Sequence, residues 1–105
     1  MKPTVSHHSF LMKHLARPAD AAAYLNAAAE DDEIKYLLKA LRNVVEAQGG
    51  VGKLAQKTKL SRTSLYKTLS SGGNPEVGTL KAILNAYGIH ISFVSKDNAL
   101  RKRAA

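Results

Sequence analysis

The stretch KLAQKTKLSRTSLYKTLS, residues 53–70, decides how this chain is organised. Read with helical spacing, Leu54, Ala55, Thr58, Leu60, Leu65 and Leu69 fall on the inward faces of two short helices. The helices break at Lys59-Leu60-Ser61, and Ser61 suits an N-cap because its hydroxyl can accept from a free amide one turn into the second helix. Lys53, Lys57, Lys59, Arg62 and Lys67 make the outer face basic, with no acidic residue among them. Two short helices, a tight turn, a small alanine where they cross and a cationic outer face form the sequence signature of a helix-turn-helix.

Outward from that stretch the chain reads as further helices. Upstream, Ile34, Leu37, Leu38, Leu41, Val44 and Val45 recur at helical spacing and define the central apolar stripe. Asp31 or Asp32 is the expected cap of that helix, and Gly49-Gly50 the expected stop. Before it, Pro18 suits the first turn of a helix running to about Ala29. That helix is rich in alanine, and Tyr24 and Leu25 are its only bulky apolar side chains. Residues 1–16 show no sustained period and read as a partly ordered N-terminal extension. Downstream, Gly72-Gly73 closes the second helix of the pair. Another helix follows over roughly 76–87, with Val77, Leu80, Ile83, Leu84 and Tyr87 inward and Gly88 as its stop. The period then changes to two. Ile89, Ile91 and Phe93 alternate with His90 and Ser92, which predicts one short strand. A lone strand needs a partner: its own copy across a two-fold axis, residues 4–9, or the edge of another protein's sheet. The basic tail, residues 96–105, reads as disordered.

Composition bounds the function. The chain has 105 residues, one domain's worth, and 45% apolar content, ordinary for a globular protein. With no cysteine, disulfides and thiolate metal sites are impossible. His7, His8 and His14 have no carboxylate or cysteine at ligand spacing, so neither a metal nor any other cofactor is expected. Gly49-Gly50-Val51-Gly52 is not followed by the lysine–serine/threonine pair of a P-loop, and no nucleophile context stands out, so no enzyme is expected. Without an apolar run of membrane length or a signal-peptide core, a soluble cytoplasmic protein is expected. The net charge of +8 favours polyanions. It is unevenly spread: Asp20, Glu30, Asp31, Asp32 and Glu33 put five of the eight acids before residue 34. An acidic end on a basic body suits two kinds of partner, although acids there also favour a helix N-terminus.

LAxKTxLSRTSLYKxLS, residues 54–70, resembles the helix-turn-helix of phage-repressor-like (Cro/C1-type) DNA-binding proteins. RPADAAAYLNAAAEDD (17–32) and GNPEVGTLKAILNAYGIHISF (73–93) extend the likeness to addiction-module antidote proteins, the antitoxin halves of bacterial toxin–antitoxin operons. The likeness spans roughly residues 17–95. It implies a mainly α fold: a five-helix phage-repressor-like bundle with the helix-turn-helix inside it and one short C-terminal strand. It also implies an antitoxin that represses its own operon and binds a small toxin, usually a ribonuclease of the RelE-like fold. Lys59 departs from the pattern, since many such turns carry glycine where φ must be positive.

The residues themselves suggest how DNA would be read. With Leu65 and Leu69 inward, Arg62, Thr63, Tyr66 and Lys67 face outward and Ser64 lies at the flank. The Arg62 fork matches the O6/N7 pair of guanine, Thr63 can meet a thymine methyl, and Lys67 can reach a base or phosphate. Ser61, Ser64, Lys53, Lys57 and Tyr66 suit the phosphate backbone, as does Asn74 in the loop with Gly73. One such helix touches few bases, so a homodimer on a palindromic operator is expected, with half-sites ~34 Å apart. Tyr87, Ile89, Ile91 and Phe93 are the candidate dimer contacts. A stand-alone repressor without a toxin, and an interaction module that has lost DNA binding, remain the alternatives.

Overall fold

Leu38, Leu41, Val44 and Val45 repeat at helical spacing and none is more than 2% exposed, so a single helix carries the centre of the core. The computed structural model describes residues 6–70, 72 and 74–97. Among these residues the elements are α1 (His7–Leu15), α2 (Pro18–Ala29), α3 (Ile34–Ala47), α4 (Gly50–Thr58), α5 (Arg62–Leu69) and α6 (Val77–Ala86). The central helix is α3, which packs against α1, α2, α4 and α5. Helix α6 closes the far side through α4 and α5. Leu15, Ala21, Leu25, Leu54, Leu65, Leu69, Ile83, Leu84 and Tyr87 complete one continuous apolar core. Ala21 is wholly buried, and its small side chain lets α2 pack closely on α3.

The bundle has six helices among the described residues, not five. Residues 7–15 form α1 although they carry no sustained apolar period. Leu15 alone is buried there, Leu11 packs beside the core, and Phe10 is 66% exposed. Polar bonds hold the ends instead. The Ser6 hydroxyl accepts from the Ser9 amide at 3.0 Å. At the other end, the Gln48 amide donates to the carbonyls of Leu15 and Ala16 at 3.1 and 3.0 Å, satisfying groups the helix itself leaves open.

Two apolar positions expected inside lie outside: Ile34 and Val77 are 46% and 70% exposed. Each is the first residue of its helix, beyond the edge of the core. The α3 cap also differs. Glu33 is the cap residue and makes no side-chain cap bond. Asp31 turns the preceding chain instead, its carboxylate accepting from the Glu33 amide at 2.8 Å. Gly49 takes the corner between α3 and α4 at φ +113°, where a β-carbon would stand 2.6 Å from Lys53 Cδ. Gly88 ends α6 at φ +76°, and the Ile89 amide behind it donates to the Leu84 carbonyl.

The C-terminal strand is not formed; among the described residues there is no strand at all. A ladder needs a second edge, and the rival segment of the same chain is helical from residue 7. Ile89 and Ile91 pack half-buried against the core instead. Residues 96–97 are helical, while the rest of the basic tail, Gly73 and residues 1–5 lie outside the described residues. No helix among the described residues is long and apolar enough to cross a membrane.

Candidate nucleic-acid interface

Helices α4 and α5 are joined by residues 59–61, a turn held by both side-chain and backbone bonds. The Thr58 hydroxyl donates to the Leu54 carbonyl at 2.9 Å and accepts from the Leu60 amide at 3.2 Å. Lys59 takes the left-handed conformation at φ 61°, ψ 20°, and its amide donates to the Ala55 carbonyl at 2.8 Å. The positive φ expected of the turn is therefore present, with a lysine bearing its cost. Ser61 then caps α5. Its hydroxyl accepts from the Ser64 amide at 3.0 Å and donates to the Ser64 hydroxyl at 2.9 Å.

Leu65, Thr68 and Leu69 bury one face of α5, at 0%, 8% and 3% exposure. That leaves Arg62, Thr63, Ser64, Tyr66 and Lys67 exposed on the other, with Tyr66 at 62%. The three candidate base-contact residues are thus brought onto one exposed ridge. Lys53 and Lys57 are exposed on α4 beside it. Among the described residues no carboxylate pairs with Lys53, Lys57, Lys59, Arg62 or Lys67. Arg62 leans back across α4: a β-carbon placed at Gly52 would lie 3.0 Å from its Nη2.

The far end of α5 opens onto a cleft of about 530 Å³ shared by Ser64, Lys67, Ser70, Asn74 and Thr79. The structure so joins three of the expected contacts, Ser64, Lys67 and Asn74, and adds the hydroxyl residues Thr68, Ser70 and Thr79, which the sequence reading passed over. Thr79 belongs to the first turn of α6, which no spacing rule connects to α5. Glu76 also lines that cleft, its one acid among the described residues.

The candidate dimer residues separate. Tyr87 is 5% exposed and belongs to the core. Its hydroxyl is buried with no hydrogen-bond partner among the described residues, and burial pushes its pKa up to about 12. Ile89 and Ile91 are half-buried, whereas Phe93 and Val94 stand 95% and 53% exposed. Elsewhere, His8 Nε2 lies 2.7 Å from Glu46 Oε2, and His14 Nδ1 lies 3.6 Å from Asp20 Oδ2. Among the described residues no three histidine or carboxylate side chains converge as metal ligands.

Residues 7–95 match the family described as "probable addiction module antidote protein". A relative from Haemophilus influenzae, named only "uncharacterized protein", is 31% identical over 77 residues, covering 73% of this chain and 78% of its own. No solved structure matches the chain significantly.

Proposed function

The chain belongs to the family of addiction module antidote proteins, and we propose that it is an antitoxin that binds its operon DNA through α4 and α5 and neutralises a cognate toxin. The observation that carries the DNA half is the α5 ridge. Arg62, Thr63 and Lys67 project from one helix whose opposite face is locked by Leu65 and Leu69, within a group of five cations that no acid among the described residues pairs with. In the helix-turn-helix mode, α5 lies in the major groove with its first turn against base edges. Arg62 reads guanine, Thr63 a thymine methyl and Lys67 a base or phosphate. Ser61, Ser64, Lys53, Lys57, Tyr66 and Asn74 hold the backbone and set the register.

A palindromic operator is read by two copies. The exposed Phe93 and Val94 supply an apolar patch suited to pairing, on a segment without regular structure whose neighbours Ile89 and Ile91 rest on the core. Family membership supports a toxin partner. The acidic run of residues 30–33, upstream of most of the basic residues, suits a small basic protein. In this reading the protein acts by binding and carries out no catalysis.

Selecting duplexes from a random pool tests the DNA half. The expected product is a two-fold symmetric site with guanine in each half; a pool that stays random contradicts it. Co-expression with the adjacent reading frame tests the other half. A short basic protein that co-purifies and is toxic alone supports the antitoxin, while a frame encoding no such protein favours a stand-alone repressor.

A further inference from the structure

Gly52 lies in the first turn of α4, facing the start of α5. A β-carbon at residue 52 would stand 3.0 Å from Arg62 Nη2, 3.5 Å from Cζ and 3.9 Å from Nε. That spread places the fork itself, rather than one straying tip, across the bare glycine. We propose that Gly52 is a positioning residue for sequence reading: its missing side chain leaves the shelf on which the Arg62 guanidinium rests, and so sets the angle at which the fork meets a base. The proposal rests on the DNA-binding reading above.

Electrostatics does not explain the contact. Among the described residues Arg62 has no carboxylate partner. It occupies the first turn of α5 and leans on the first turn of α4, two helix ends whose open amides are partly positive, with Lys53 the next residue along. What that position offers is room and a flat surface, which a weakly hydrated planar guanidinium uses better than an ammonium would. Glycine inside a helix also costs about 1 kcal/mol relative to alanine. A close approach by another group is the usual structural reason to carry that cost. Two parallel hydrogen bonds to guanine require the plane of the fork to be right as well as its position. A shelf that narrows the rotamers of Arg62 before DNA arrives supplies that.

The test compares wild type, Gly52→Ala, Gly52→Leu and Arg62→Ala, with each residue-52 change also combined with Arg62→Ala. Equilibrium binding is measured to the selected operator and to an unrelated duplex. The preference for the operator is expected to fall about fivefold in Gly52→Ala, the low end of one base contact, and further in Gly52→Leu. Binding to the unrelated duplex stays the same, and the melting temperature of Gly52→Ala does not fall. In the Arg62→Ala background the changes at residue 52 alter the preference less than about twofold, as a coupled pair requires. Equal losses in both backgrounds, or no loss in either glycine variant, overturn the proposal. Nuclear magnetic resonance separates this from the function itself. In free protein the Arg62 Nε–H signal is expected to shift in Gly52→Ala and not in Gly72→Ala. An unmoved signal overturns the shelf, whereas wild-type protein that binds no duplex overturns the DNA reading.

Discussion

Arg42 of α3 donates to the carbonyl of Leu69 at the last turn of α5, with Nη1 2.6 Å from the oxygen. A helix C-terminus presents carbonyls with no partner of their own and carries partial negative charge, so a guanidinium suits it on both counts. With Ser61 capping the other end, the ridge-bearing helix is held at both termini by named side chains. Replacing Arg42 by alanine is expected to destabilise the fold by about 2 kcal/mol, the range for a hydrogen bond to a charged group. Urea unfolding measures it, and a midpoint equal to wild type would show the bond to be incidental.

Ser61 allows stability and binding to be separated. Alanine there removes the cap and should cost about 1 kcal/mol. Aspartate caps as well as serine but adds a negative charge to the proposed DNA face. Ser61→Asp should therefore melt near wild type while binding duplex DNA much more weakly at low salt. Aspartate that bound like wild type would move the interface away from α5.

Lys59 stores a small conformational cost. A left-handed residue other than glycine is disfavoured by roughly 1–2 kcal/mol, part of which glycine returns through its freer unfolded chain. Lys59→Gly should raise stability by about 0.5 kcal/mol. Lys59→Val, branched at Cβ, should lower it by more than 1 kcal/mol. Thermal melting of the two variants gives the comparison, and a destabilised glycine variant would mean that the lysine side chain compensates elsewhere.

The core and the capped turn were legible because burial imposes a period: Leu54, Leu65, Leu69 and the α3 stripe from Leu38 onward are inside where spacing puts them. Helix α1 was not legible, since its stability comes from Ser6 and Gln48 bonds and a single buried leucine rather than an amphipathic repeat. Alternation at Ile89 and Ile91 suggested a strand, yet the same pattern arises when an extended segment lays alternate side chains on a core. The ridge at Arg62, Thr63 and Lys67 followed from the inward leucines. Arg42 and Gly52 act across 27 and 10 residues of sequence, and no local pattern points to such partners.

Tyr87 gives a pH signature. Burial raises its phenol to about 12 in the folded state, from 10.0 in the open chain. A raised pKa means that the contribution is whole below pH 10 and is lost as pH climbs through 12. Tyr87→Phe removes a buried hydroxyl that has no partner among the described residues, so it should leave stability at pH 7 unchanged or slightly higher. Its unfolding free energy should fall less than that of wild type between pH 10 and 12. Parallel decline in the two proteins would place the hydroxyl in contact with water.

The central claim is that the α5 ridge meets DNA, and the dependence of operator affinity on salt tests it most directly. Each phosphate contact contributes a slope of roughly −0.9 in log affinity against log salt. Wild type should give a steep negative slope, and Lys57→Ala should flatten it by about one unit while keeping base preference. Arg62→Ala should erode that preference instead. Affinity for the selected duplex that is flat across salt, or indifferent to both substitutions, would contradict the account.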